Sequence, residues 1–87
     1  MFWVYVLELE NGKKYIGQTN NLERRIMEHQ SGKSPYTRKN KMKRLLYFEV
    51  CTSRSEAMKK EKFFKSGNGR EWLKTKLAKG STNTSGT

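Results

Sequence analysis

A single cysteine, Cys51, stands in these 87 residues, so no intrachain disulfide can form and no thiolate zinc site can be assembled. The chain must fold on its core alone, and a reducing compartment, the cytoplasm by default, is expected. Long apolar runs are missing too: Phe2 to Leu9 is the best of them, and Glu8 and Glu10 interrupt it well short of a signal h-region or a membrane span of roughly 18 residues. A soluble protein is expected. Negative charge is scarce, with 8 acidic residues against 19 Lys and Arg and a formal net charge of +11. Such a surface releases condensed counterions when it meets phosphates, which makes nucleic acid the leading partner and an anionic membrane a distant second.

What is present suits one small domain, near the size at which a single core is only marginally stabilising. Nine of the ten aromatics precede Lys65 and alternate with charge, the pattern of a thin two-layer α/β domain. Phe2 to Leu9 reads as a central strand covered on both faces, Asn11-Gly12 as a hairpin turn, and Lys13 to Gly17 as an antiparallel second strand. Asn20 with Glu23 resembles a capping pair opening a helix from about Asn21 to Gln30, with Leu22 and Ile26 as its buried stripe and Gly32 as its stop. Ser34 to Lys43 reads as a basic loop with one short helical turn around Tyr36 to Asn40, and Arg44 to Cys51 as a third strand. Ser53 with Glu56 caps a second helix reaching Lys65, where Ser66-Gly67-Asn68-Gly69 breaks it, and a last helix runs from Arg70 to Leu77 with Trp72, Leu73 and Leu77 on one side. Residues 1–79 form the domain; Gly80 to Thr87, without charge or apolar side chains, is expected to be a disordered polar tail. No internal repeat is present.

Several side chains ask for more than packing. Glu61 falls on the stripe of Ala57, Met58 and Phe64, where a carboxylate is costly to desolvate unless it meets a cation. A salt bridge to a neighbouring Lys or Arg, or a metal ion, would satisfy it. Arg25 and His29, four apart, face the same way; one can grip a phosphate oxygen and the other can move a proton near neutral pH. Taken alone, either is also compatible with a solvated helix face. Tyr5 and Tyr15 lie on the two hairpin strands, where cross-strand packing would explain them, and Gly17 permits close approach of another element. A strict two-residue turn would put the two tyrosines on opposite faces of the sheet. A bulge or a three-residue connection between Glu10 and Tyr15 would return them to a common face.

Together, Val4-Tyr5, Tyr15-Ile16-Gly17, Asn21-Leu22-Glu23-Arg24-Arg25, His29 and the Ser55-Glu56-Ala57 to Glu61 to Phe64-Lys65 stretch resemble the GIY-YIG nuclease superfamily, over residues 2 to about 77. The match is narrowest with its small stand-alone members. Two positions depart from the pattern: Trp3-Val4 replaces the opening Gly-Ile, and the nearest counterpart of an asparagine found in some members is Asn68. The resemblance implies an α+β fold, an antiparallel three-stranded sheet flanked by helices in the order β-β-α-(short α)-β-α-α. It implies a divalent-metal-dependent endonuclease acting on nucleic acid, DNA more than RNA, with little sequence specificity. Tyr5, Tyr15, Arg25, His29 and Glu61 would be catalytic, with Glu61 holding Mg²⁺ or Mn²⁺. Gly17, Arg38, Lys39, Lys41, Lys43, Arg44, Lys59, Lys60, Lys62 and Lys65 would contact nucleic acid, although any one of these lysines taken singly is better read as solubilising surface. A non-catalytic, basic nucleic-acid-binding module on the same scaffold is the alternative.

Overall fold

The structure is a computed structural model that describes the backbone of residues 1–32 and 40–83, and side chains as far as Ala78. Three strands, β1 (Phe2–Leu9), β2 (Lys14–Thr19) and β3 (Met42–Cys51), form an antiparallel sheet in the order β2-β1-β3, with the apolar β1 at its centre as its composition predicts. Helix α1 (Leu22–Gln30) covers one face; α2 (Arg54–Lys65) and α3 (Gly67–Asn83) cover the other. The domain therefore has three layers, not the two expected. The alternation along β1 divides the core accordingly. Tyr5, Leu7 and Leu9 pack with Leu22 and Ile26, while Val4 and Val6 pack with Ala57, Phe64, Leu73 and the buried Cys51. Burial also pushes the Cys51 thiol upward, which keeps it protonated and inert.

The hairpin resolves the tyrosine conflict. Leu9 N–H bonds the Lys13 carbonyl, Gly12 N–H bonds the Leu9 carbonyl, and Gly12 takes φ +88°, so Glu10, Asn11 and Gly12 make a three-residue connection. The ladder then pairs Tyr5 with Gly17 and Leu7 with Tyr15. Both tyrosines share the α1 face.

Helix starts follow their caps, with two corrections. Asn21, not Asn20, caps α1: its Oδ1 accepts from Arg24 N–H at 3.1 Å, and Thr19 Oγ1 accepts from the Asn21 N–H. Gly32, at φ +76°, ends the helix as predicted. Ser53 caps α2 and accepts from Glu56 N–H. The second correction concerns 66–69: α2 ends at Lys65 as predicted, but the break is confined to Ser66, whose backbone is extended at φ −83° and ψ 167°. Ser66 Oγ accepts from Gly69 N–H and opens α3 at Gly67, three residues ahead of the expected start. Gly69 is required there, because a Cβ would lie 1.8 Å from the Phe63 carbonyl oxygen. Helical backbone continues to Asn83, into the stretch read as a tail; residues 84–87 and the short turn around Tyr36 to Asn40, apart from Asn40, lie outside the described residues. Among the described residues no helix is long and apolar enough to cross a membrane.

Candidate active site

Four of the five predicted side chains meet on the α1 face. Tyr5 Oη and His29 Nε2 lie 2.9 Å apart, both residues about 1% exposed. The Tyr15 ring closes the group, its centroid 6.2 Å from that of Tyr5 and 5.2 Å from that of His29. Arg25, one turn before His29, stands close enough to the Tyr5 hydroxyl for each to influence the other's ionisation and is oriented by Glu28, whose Oε1 accepts from Nη1 at 2.8 Å. The i, i+4 spacing aims Arg25 and His29 into one space, and the three-residue turn supplies both phenols from the facing strands.

Burial sets the protonation states. It pushes Tyr5 up to about 12, with Arg25 opposing, so the phenol keeps its proton. Burial, with the Arg25 cation adding to it, lowers His29 to about 4. The imidazole is therefore neutral at pH 7 and does not titrate near neutrality, contrary to the reading from sequence. Glu28 and Tyr5 hold Arg25 above its ordinary value.

Gly17 is buried beneath the Tyr5 ring, and an added Cβ would meet Tyr5 Oη at 2.6 Å and Tyr15 Cε2 at 3.1 Å. Its place is to admit a ring rather than to meet a nucleic-acid backbone.

Glu61 approaches from the opposite face. Ala57, Glu61 and Phe64 form the inward stripe of α2, whereas Met58, expected among them, is 54% exposed because it lies one position around the helix. The Glu61 side chain is 22% exposed; Gln18 Nε2 donates to Oε1 at 3.0 Å, and Lys65 Nζ donates to Oε2 at 2.8 Å. Of the two partners the sequence left open for Glu61, the salt bridge to a neighbouring lysine is present. Gln18 follows Gly17 on β2, an edge strand, so the carboxylate stands at the rim around which the two faces of the sheet meet. Sequence reasoning passed over Gln18, whose only signal was its position next to Gly17.

Among the described residues no cluster of three or more His, Cys or carboxylate ligands could cage a metal. One part-exposed carboxylate on a flexible lysine still fits Mg²⁺ or Mn²⁺, because these hard cations keep much of their water and need few protein oxygens.

The predicted nucleic-acid contacts separate into groups. Lys41, Lys43, Lys59 and Lys62 are exposed. Arg44 pairs with Glu8, and Lys60 with Glu49, each at 2.6 Å. Lys65 is engaged by Glu61. Arg38 and Lys39 lie outside the described residues. Asn68 is exposed on the first turn of α3.

With this geometry in place, the comparisons converge. Residues 1–76 match the family model described as the GIY-YIG catalytic domain. A UPF0213 protein of Bacillus pumilus is 42% identical over 74% of this chain and 66% of its own length, so that relative carries length this chain does not match. One from Streptococcus agalactiae is 42% identical over 72% of this chain and 73% of its own. Among solved structures, the solution NMR structure of a UPF0213 protein from Bacillus halodurans superposes with a TM-score of 0.54 at 38% identity, covering 86% of this chain and 84% of that one.

Proposed function

Because the chain belongs to the GIY-YIG family, whose members are generally endonucleases, we propose that it hydrolyses phosphodiester bonds of nucleic acid, DNA rather than RNA, in the cytoplasm with little sequence specificity. The observation that carries this reading is the contact of Tyr5, Tyr15, Arg25 and His29 on one face. A core needs neither a buried imidazole bonded to a phenol nor a guanidinium set beside them.

Tyr15 is the more exposed of the two phenols, which supports assigning it the contact with the attacking water. Tyr5 lies behind it, and its contact with the neutral His29 gives a short path along which a proton can be shared. Arg25 stays cationic at any working pH, and Glu28 fixes its direction, so it can stabilise charge accumulating on pentavalent phosphorus and on the leaving oxygen. Glu61 would hold the Mg²⁺ or Mn²⁺, with Gln18 fixing one carboxylate oxygen and Lys65 giving up the other. A divalent cation held there supplies positive charge against the scissile phosphate and lowers the pKa of water. Lys41, Lys43, Lys59 and Lys62 would grip backbone without reading bases.

One observation favours the alternative, a non-catalytic nucleic-acid-binding module: Lys65 already neutralises Glu61. A plasmid-nicking assay in Mg²⁺ separates the two. The enzyme reading expects cleavage by wild type that EDTA stops and that Glu61→Ala and Arg25→Ala lose while still binding DNA. Binding without cleavage by clean wild type favours the module.

A further inference from the structure

On the face opposite α1, a groove of about 970 Å³ runs between the β1–β2 hairpin and α3. Its floor is apolar, made by Ile16, Phe64, Leu73 and Leu77. Its rim is cationic: Lys13 and Lys14 stand on the hairpin, Lys65 at the end of α2, and Arg70 and Lys74 on α3, against one carboxylate, Glu71. Among the described residues no carboxylate forms an ion pair with Lys13, Lys14, Arg70 or Lys74. On α3 the spacing 70, 73, 74, 77 is one helix face, so apolar and cationic side chains alternate along the groove by construction. Tyr15, on the edge strand β2, also lines the groove and so borders both it and the proposed site.

From this arrangement we infer that the groove seats an unpaired strand of nucleic acid, with bases against the apolar floor and phosphates along the Lys and Arg rim. The charge selects a polyanion. The floor selects which one, since a duplex keeps the apolar faces of its bases within the stack, whereas a single strand presents them. A cationic groove that tracks a backbone above an apolar platform is the general solution for single strands. The inference rests on the nuclease reading only for placing a scissile phosphate at Tyr15, and it deepens that reading by naming an unpaired strand, at a junction or beside a gap, as the preferred substrate.

The test is fluorescence anisotropy without divalent metal, at a series of matched ionic strengths, using labelled oligo-dT of about twelve nucleotides and a duplex of the same length. Wild type is expected to bind the single strand about tenfold tighter than the duplex, and Arg70→Glu with Lys74→Glu to lose about tenfold on the single strand and far less on the duplex. Both positions are exposed, and circular dichroism checks the fold. Leu77→Gln, which alters the floor without changing charge, is expected to weaken oligo-dT binding and leave its salt dependence unchanged. Equal affinity for duplex and single strand, equal losses on both, or displacement of oligo-dT by polyglutamate as readily as by unlabelled oligo-dT would overturn the inference. Plasmid nicking is scored separately: nicking without strand preference removes the groove alone, and selective binding without nicking removes the nuclease assignment alone.

Discussion

Gly17 lies directly across the ladder from Tyr5, and the phenol occupies the space that any side chain at 17 would need. Gly17→Ala must displace the ring, because Cζ as well as Oη stands within 3 Å of the added Cβ. A loss of about 1–3 kcal/mol is expected from overpacking, read as a lower urea midpoint, with cleavage reduced further than stability because Tyr5 leaves His29. An unchanged midpoint would contradict the geometry.

His29 is the only histidine, so its ring protons report one site in a proton NMR titration. Its pKa in the folded chain is about 4, against 6.5 when unperturbed. Between these values the unfolded chain binds a proton that the folded chain refuses. Stability is therefore fully present above about pH 6.5 and falls as pH drops towards 4. Denaturant midpoints at pH 5 and 7 should differ for wild type and converge for His29→Gln. Titration of the ring near 6.5 would show that burial does not govern it.

Lys65 holds Glu61 Oε2, so a divalent cation bound there as proposed would have to displace it. Lys65→Met should lower the Mg²⁺ concentration needed for half-maximal effect, whereas Gln18→Leu, which frees Oε1, should cut kcat about tenfold with little change in Tm. Calorimetric Mg²⁺ titration and a metal-dependent rate series read the two effects.

At the junction of α2 and α3, Gly69 meets backbone rather than a flexible side chain. Gly69→Ala should cost more than Gly67→Ala, since nothing stands within 4 Å of a Cβ at 67. Comparing the two variants by thermal denaturation checks this; equal losses would mean that the glycines act only through chain entropy.

Much of this architecture was legible from local signals. Alternation and capping are encoded within a few residues, so β1 and the starts of α1 and α2 could be read closely. The common face of Tyr5 and Tyr15 followed from requiring shared chemistry of a hairpin, and the three-residue turn supplies it. Tertiary relations were less visible. The break after Lys65 was legible, but Gly67 and Gly69 read as part of it because nothing local reveals that Gly69 lies against the Phe63 carbonyl in the first turn of α3. The neutral His29 depends on burial by strands distant in sequence, and Gln18 becomes significant only once α2 brings Glu61 to the sheet edge.

The central claim is that Tyr5, Tyr15, Arg25, His29 and Glu61 act as one phosphodiester site across the β2 edge. Nicking rates in Mg²⁺ for wild type, Arg25→Ala, Glu61→Ala and the double variant test it most directly. A single site predicts a loss of about 100-fold or more for each substitution, with the double variant little worse than either. Undiminished cleavage by Glu61→Ala, or no Mg²⁺-dependent cleavage by wild type at all, would contradict it.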